Sequence, residues 1–342
     1  MKIQEFRDKI KKATREQIEI IASELYRMLP KNKKEVMEEN FDSKLEIILN
    51  SDPNEKIKLK SEKPKAIPFI NLKNEILNFF FLVDRDLYFA PNKFVSKTER
   101  SKWRFKVKSF IKELDKITIS SDDYKEAAEL YKEIYRRLCH ACAYYILSTQ
   151  VPFNAVGIPQ VEFLHNVLKK YFINGYSKET LSSMIDLVTN TYVDQETAEY
   201  ELIYVLVEDL PTRDVREQAI ELAKDRLIHT YLKIPKEFSN ESFRFEERKE
   251  RLLDLILALK MKNHEGREGV DFYLKNGDFY SDKYYSTLCH ISRFHQMFNE
   301  KPSLWIEMYE EFVKNNKLKP DKRLMEEYEE LKKQFFKDTS HE

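Results

Sequence analysis

The chain has 342 residues, 59 Lys+Arg against 59 Asp+Glu, 35% charged residues and only 5 Gly. Sandwiches, barrels and phosphate-cradling α/β folds place Gly at tight turns and close backbone approaches, so this composition excludes them and points to an all-α protein. No apolar run approaches the roughly 18 residues of a membrane span, and the start, MKIQEFRDKIKK, lacks the apolar centre of a signal peptide.

No membrane partner is therefore expected. Cys139, Cys142 and Cys289 fall in apolar contexts, and an odd number without a secretion signal reads as reduced, buried thiols in the cytoplasm. Charge is unevenly spread: residues 1–116 carry 27 Lys+Arg and 19 Asp+Glu, the remainder 32 and 40. Such asymmetry marks a surface for an anionic partner or lets the two halves attract each other.

Residues 1–50 read as a small module of three short helices. Phe6 and Ile10 mark the inner face of the first, and Thr14 with Gln17 makes a capping box for the second. The third uses Val36, Met37, Phe41, Leu45 and Ile48. Residues 51–67, with two prolines and five lysines, read as a linker. A helical-repeat-like domain is expected over 68–342. It opens with a deeply buried helix around Ile70 to Val83, followed by a helix capped by Ser96 with Glu99 and lined by Trp103, Val107, Phe110, Ile111 and Leu114.

The spacing predicts one long helix over 122–150, capped by Ser120 or Ser121 and ended by Pro152. Ala127, Leu130, Tyr131, Ile134, Leu138 and Ala141 form its apolar stripe, and from Leu138 to Leu147 the polar face almost disappears. A helix apolar all round is normally surrounded by others, so this one is expected at the centre of the protein. Helices are then predicted at 159–173, 178–191, 194–209, 213–232, 242–262, 267–275, 282–298, 302–316 and 321–337. Ser177, Asp194, Thr212 and Ser281 are their candidate N-caps. Antiparallel helix pairs in an α-solenoid-like superhelix fit this series, with a compact multi-helix bundle as the alternative.

Residues 123–138 resemble the second helix of a tetratricopeptide repeat, with Asp123 and Tyr124 at its acidic-aromatic start and Ala127, Leu130 and Tyr131 following. The resemblance ends there. Ile134 stands where that repeat needs alanine, and no repeat of its period recurs. It implies generic helix-pair packing and no particular function. Tyr135, Leu138, Cys139, His140 and Tyr144 are echoed at the same spacing by Tyr285, Leu288, Cys289, His290 and Phe294.

Chemistry-bearing motifs are sparse. Cys139, Cys142 and His140 are of the types zinc prefers, but His140 lies about 100° round the helix from Cys139, so one ion cannot easily take all three. His290 and His295 have the wrong spacing for a helical zinc hydrolase, Glu300 notwithstanding. Arg136 to His140 and Arg226 to His229 are too short for the Arg–His motif of helical ribonucleases. Gly266 to Gly269 reads as a polar loop. No cofactor and no catalytic residue is indicated.

The remaining candidate is a basic stretch, 93–112, in which Lys97, Arg100, Lys102, Arg104, Lys106 and Lys108 interleave with Trp103 and Phe105. Clustered cations neutralise phosphates, and an exposed aromatic can stack on a base. The leading expectation is a non-enzymatic scaffold that binds a protein or peptide in a helical groove. The alternative is a nucleic-acid-associated protein using 93–112, and a helical enzyme with a site near Cys139–Cys142 comes third.

Overall fold

Local capping sets where many of the helices begin. Thr14 Oγ1 accepts from Gln17 N, and Gln17 Oε1 accepts from Thr14 N at 2.9 Å, closing the expected capping box. Ser96 and Ser177 accept from Glu99 N and Thr180 N at 3.2 Å. Such caps satisfy first-turn N–H groups that have no partner inside the helix. The computed structural model describes residues 10–28, 68–231, 240–279, 282–298 and 302–339. The rest of the expected N-terminal module, the linker 51–67, Ser281 and Glu300 lie outside the described residues. The chain divides into two units, Met1–Ala66 and Ile67–Glu342.

Among the described residues there are fifteen helices and no strand. The first unit contributes α1 (Arg15–Met28), on which Ile18, Ile20 and Leu25 are exposed. The second begins with α2 (Phe69–Val83), α3 (Lys97–Ser101), α4 (Trp103–Leu114), α5 (Tyr124–Tyr144), α6 (Pro152–Val156) and α7 (Gln160–Phe172). It continues with α8 (Lys178–Thr189), α9 (Glu199–Glu208), α10 (Arg213–Tyr231) and α11 (Asn240–Lys262). It closes with α12 (Gly266–Asn276), α13 (Lys283–Met297), α14 (Ser303–Lys314) and α15 (Lys322–Thr339). Every second helix packs on the next from α5 to α13, and sequence neighbours pack on each other from α7 to α9 and from α10 to α15.

The buried hub is α11 rather than α5. Leu252, Leu255, Ile256, Leu257, Ala258 and Leu259 are fully buried, and α8, α9, α10, α12 and α13 all pack on this helix. The expected centre at 138–147 is instead half open. α5 stops at Tyr144, because Tyr145 takes a left-handed conformation (φ 56°), and Ala143, Tyr144 and Tyr145 are exposed. Its buried part is the earlier stripe, where Tyr131 and Tyr135 meet Phe163 edge-on at 5.0 and 5.6 Å. Tyrosine tolerates a wet hydroxyl edge, so an aromatic-rich run does not demand full burial as an aliphatic run does.

Other expectations shift similarly. α2 buries Leu72, Ile76, Phe79, Phe80 and Val83 but exposes Ile70, Leu77 and Phe81. α9 starts at Glu199 rather than at 194, because Asp194 caps a turn, accepting from Glu196 N at 3.1 Å. The glycine pair at 266 and 269 opens α12 rather than forming a loop. A Cβ at Gly269 would come within 2.9 Å of Lys260 Cβ, so glycine here permits the close approach of α11 and α12.

Candidate functional site

One face of α5 carries Lys132, Arg136, His140 and Tyr144 at four-residue steps, which places them in a row along the helix. Lys132, Arg136 and His140 of this row line a solvent-open cleft of about 520 Å³. The opposite wall is made by Ser183, Asp186 and Leu187 of α8, the turn Asn190 to Tyr192, and Arg244 at the start of α11. Asp84, just after α2, closes one end with Glu133 and Arg137.

The walls are held by long-range polar pairs. Arg137 grips Asp84 with two bonds of 3.0 and 2.7 Å, donates to Glu133 at 2.7 Å, and lies 3.9 Å over the Phe80 ring. Asp186 accepts two 2.7 Å bonds from Arg226 and one of 2.8 Å from Arg248, tying α8 to α10 and α11. Gln160, 1% exposed, holds the turn: its amide donates to Tyr192 O at 2.9 Å and its oxygen accepts from Asp194 N at 2.7 Å. Arg251 adds bonds to Thr191 O and Glu199.

The aromatic end is self-assembled. His140 stacks on Tyr144 with ring centres 4.4 Å apart, the Tyr144 and Tyr192 hydroxyls meet at 2.9 Å, and Arg244 lies 4.6 Å over Tyr192. Partial burial and then the Arg244 charge push the His140 pKa below its usual value, which keeps the imidazole neutral at pH 7. Burial and the Tyr144 hydroxyl push the Tyr192 phenol up to about 12.

Four cations face three carboxylates in the lining, and one of those carboxylates, Asp186, is already held by Arg226 and Arg248. Lys132 pairs with Glu129 at 2.6 Å. Among the described residues Arg136, 60% exposed, pairs with Glu133 at 3.3 Å, on the same oxygen that Arg137 holds at 2.7 Å. The cleft is therefore positive and polar.

The thiols behind it are different in kind. Cys139 is buried against the Gln160 amide at 3.3 Å, and burial pushes it up to about 12. Cys142 donates to Leu138 O at 3.3 Å, and burial raises it too. His140 points away into the cleft. Among the described residues no group of three or more His, Cys, Asp or Glu side chains is placed to hold a metal ion.

The basic stretch lies elsewhere, and none of its residues lines the cleft. Trp103 is core, 7% exposed. Arg100 is spent on Val95 O at 2.7 Å, and Lys106 sits 3.8 Å from Glu99. Lys97, Lys102, Arg104 and Lys108 are exposed. The exposed aromatics there are Phe94 and Phe105, overlaid by Lys93 and Arg104 at 5.4 and 4.9 Å.

The echoed histidines have opposite surroundings. His290 is buried with Nδ1 2.8 Å from Asp254, beside a cavity of about 170 Å³ at the junction of α11, α12 and α13. Burial opposes charge on this ring, but the Asp254 carboxylate outweighs it and holds the pKa above its usual value. Sequence reasoning missed Lys132, Arg136, Tyr192 and Arg244. The four-residue row on α5 was the one visible signal. Comparison with protein-family models, curated proteins and solved structures finds no match to this chain.

Proposed function

We propose that the chain is a non-enzymatic binding protein, an α-solenoid-like superhelix of antiparallel helix pairs whose cationic cleft takes an acidic segment of a protein partner. The packing of every second helix from α5 to α13 supports the superhelix, since stacked pairs bring alternate helices side by side. The single observation that carries the function is the row Lys132, Arg136 and His140 facing Arg244 across an open cleft of about 520 Å³. Complementary charge steers and selects a partner, and exposed arginine is well suited to carboxylates. The test is fluorescence anisotropy with a labelled acidic degenerate peptide at low salt. The double variant Arg136→Glu/Arg244→Glu is expected to weaken binding at least about tenfold, since two exposed pairs at up to about 1 kcal/mol each are lost and two repulsions are added, against about 1.4 kcal/mol for a tenfold change. Unchanged affinity would sink the proposal.

A second reading is favoured by Phe94 and Phe105, exposed and each overlaid by a cation. Aromatic faces beside cations suit a single-stranded nucleic acid. Charge reversal at Lys102, Arg104 and Lys106 would abolish that binding and leave peptide binding in the cleft intact. Salt-insensitive retention of an oligonucleotide by the reversed protein would remove this reading.

A further inference from the structure

We infer that the anionic group the cleft is shaped for is a phosphoryl group carried on the partner segment, an inference that rests on the binding role proposed for the cleft. Three cations there retain capacity for a ligand, and they come from two sides. Arg136 competes with Arg137 for one Glu133 oxygen and is the more distant of the two. Arg244 makes no salt bridge among the described residues; it lies over the Tyr192 ring and interacts with the Glu247 carboxylate at longer range. Lys132 shares its ammonium between Glu129 and the Ser183 hydroxyl, the latter at 3.5 Å.

A phosphomonoester carries about −1.5 to −2 charge at pH 7 and three acceptor oxygens, so it satisfies several cations at once where a carboxylate satisfies one or two. Two guanidinium forks with an ammonium between opposite walls match that demand. His140 adds to it. Its neutral imidazole gains a proton more readily beside a dianion, which supplies a further donor without holding an unpaired charge in the empty cleft.

The rings argue against a nucleotide base as the ligand. Tyr144 has one face covered by His140, and Tyr192 has Arg244 over its ring and Tyr144 at its edge. Base stacking needs open aromatic faces, whereas Tyr192, the one tyrosine of the cleft lining, has Arg244 over its ring and its hydroxyl on that of Tyr144. The volume of about 520 Å³ accommodates a phosphorylated side chain and its neighbours.

The experiment compares three labelled degenerate peptides that share one composition and carry phosphoserine, serine or glutamate at the centre. Inorganic phosphate serves as competitor, and a single-stranded oligonucleotide as the alternative ligand. The phosphoserine peptides are expected to bind at least about tenfold tighter than both others, with inorganic phosphate displacing them. Arg136→Gln and Arg244→Gln, each checked for an unchanged melting temperature, are expected to erase that preference. Equal affinity for phosphoserine and glutamate peptides would overturn the phosphoryl inference and leave the acidic-segment reading standing. Failure of all three peptides would overturn both. Oligonucleotide binding that is lost in Arg136→Gln would assign the cleft to nucleic acid and overturn the inference too.

Discussion

Replacing Gln160 with leucine isolates the interaction that sets one wall of the cleft. The side chain is 1% exposed, and its amide satisfies the Tyr192 carbonyl at 2.9 Å and the Asp194 N–H at 2.7 Å, the second bond being fully buried. Leucine has a similar volume but no polar atoms, so the cavity contribution is small and the loss is electrostatic. An unsatisfied buried backbone group costs about 1–3 kcal/mol, and burying the more apolar leucine recovers roughly 1 kcal/mol. With two such groups orphaned the net expectation is about 1–5 kcal/mol, a fall in melting temperature of roughly 2–4 °C per kcal/mol for a large domain. Thermal and urea unfolding monitored by circular dichroism read it directly. The freed turn carries Tyr192, so anion binding in the cleft is expected to weaken in step. A variant that melts within a degree of the parent would refute the claim that this one glutamine anchors the turn.

The lowered pKa of His140 has two consequences of defined sign. A folded value below the unfolded one means that His140 contributes stability above the unfolded pKa, lost as pH falls through it toward the folded value. Asp84 and Asp86 favour its charged form, while Arg244 and Arg136 oppose it. Anion binding takes up a proton there, so the affinity difference between the parent and His140→Gln is expected to widen from pH 7.5 to pH 6.5, and calorimetric proton uptake that is identical in both proteins would refute it. His290 is opposite in sign: its raised pKa contributes stability below the unfolded value that is lost as pH rises through the folded one, and His290→Asn is expected to flatten that limb of the stability curve. Cys139, with its thiol pushed up to about 12, is expected to resist iodoacetamide at pH 8 until the chain unfolds, and mass spectrometry that finds it alkylated in the native protein would contradict its placement. In the hub, Ile256→Ala or Leu257→Ala is expected to cost about 2–5 kcal/mol, checked by urea unfolding, because both are fully buried on α11.

What was legible in the sequence was mostly local. The capping box at Thr14 and the caps at Ser96 and Ser177 rest on contacts three residues apart, and the helix spans after 159, the start of α9 apart, came within a few residues for the same reason. The hub was misplaced because 138–147 mixes Cys, Ala and Tyr, all compatible with a half-open face, while LLDLILAL on α11 is aliphatic and leaves no such choice. Trp103 illustrates the same ambiguity, since a tryptophan among lysines serves a core or a stacking platform equally well until its neighbours are placed. The cleft itself was hidden for another reason. Arg137 finds Asp84, Arg226 finds Asp186 and Gln160 finds Asp194 across 53, 40 and 34 residues, and no pattern within one helix announces such pairs.

The most direct test of the cleft as the binding surface is a chemical-shift map. The arginine Nε and histidine ring signals of isotope-labelled protein would be followed while an acidic degenerate peptide is added. The account predicts saturable shifts at Arg136, His140 and Arg244, with Arg100 and Arg104 unmoved. Shifts confined to Arg100 and Arg104, with the cleft residues silent, would contradict it and move the functional surface to the basic stretch 93–112.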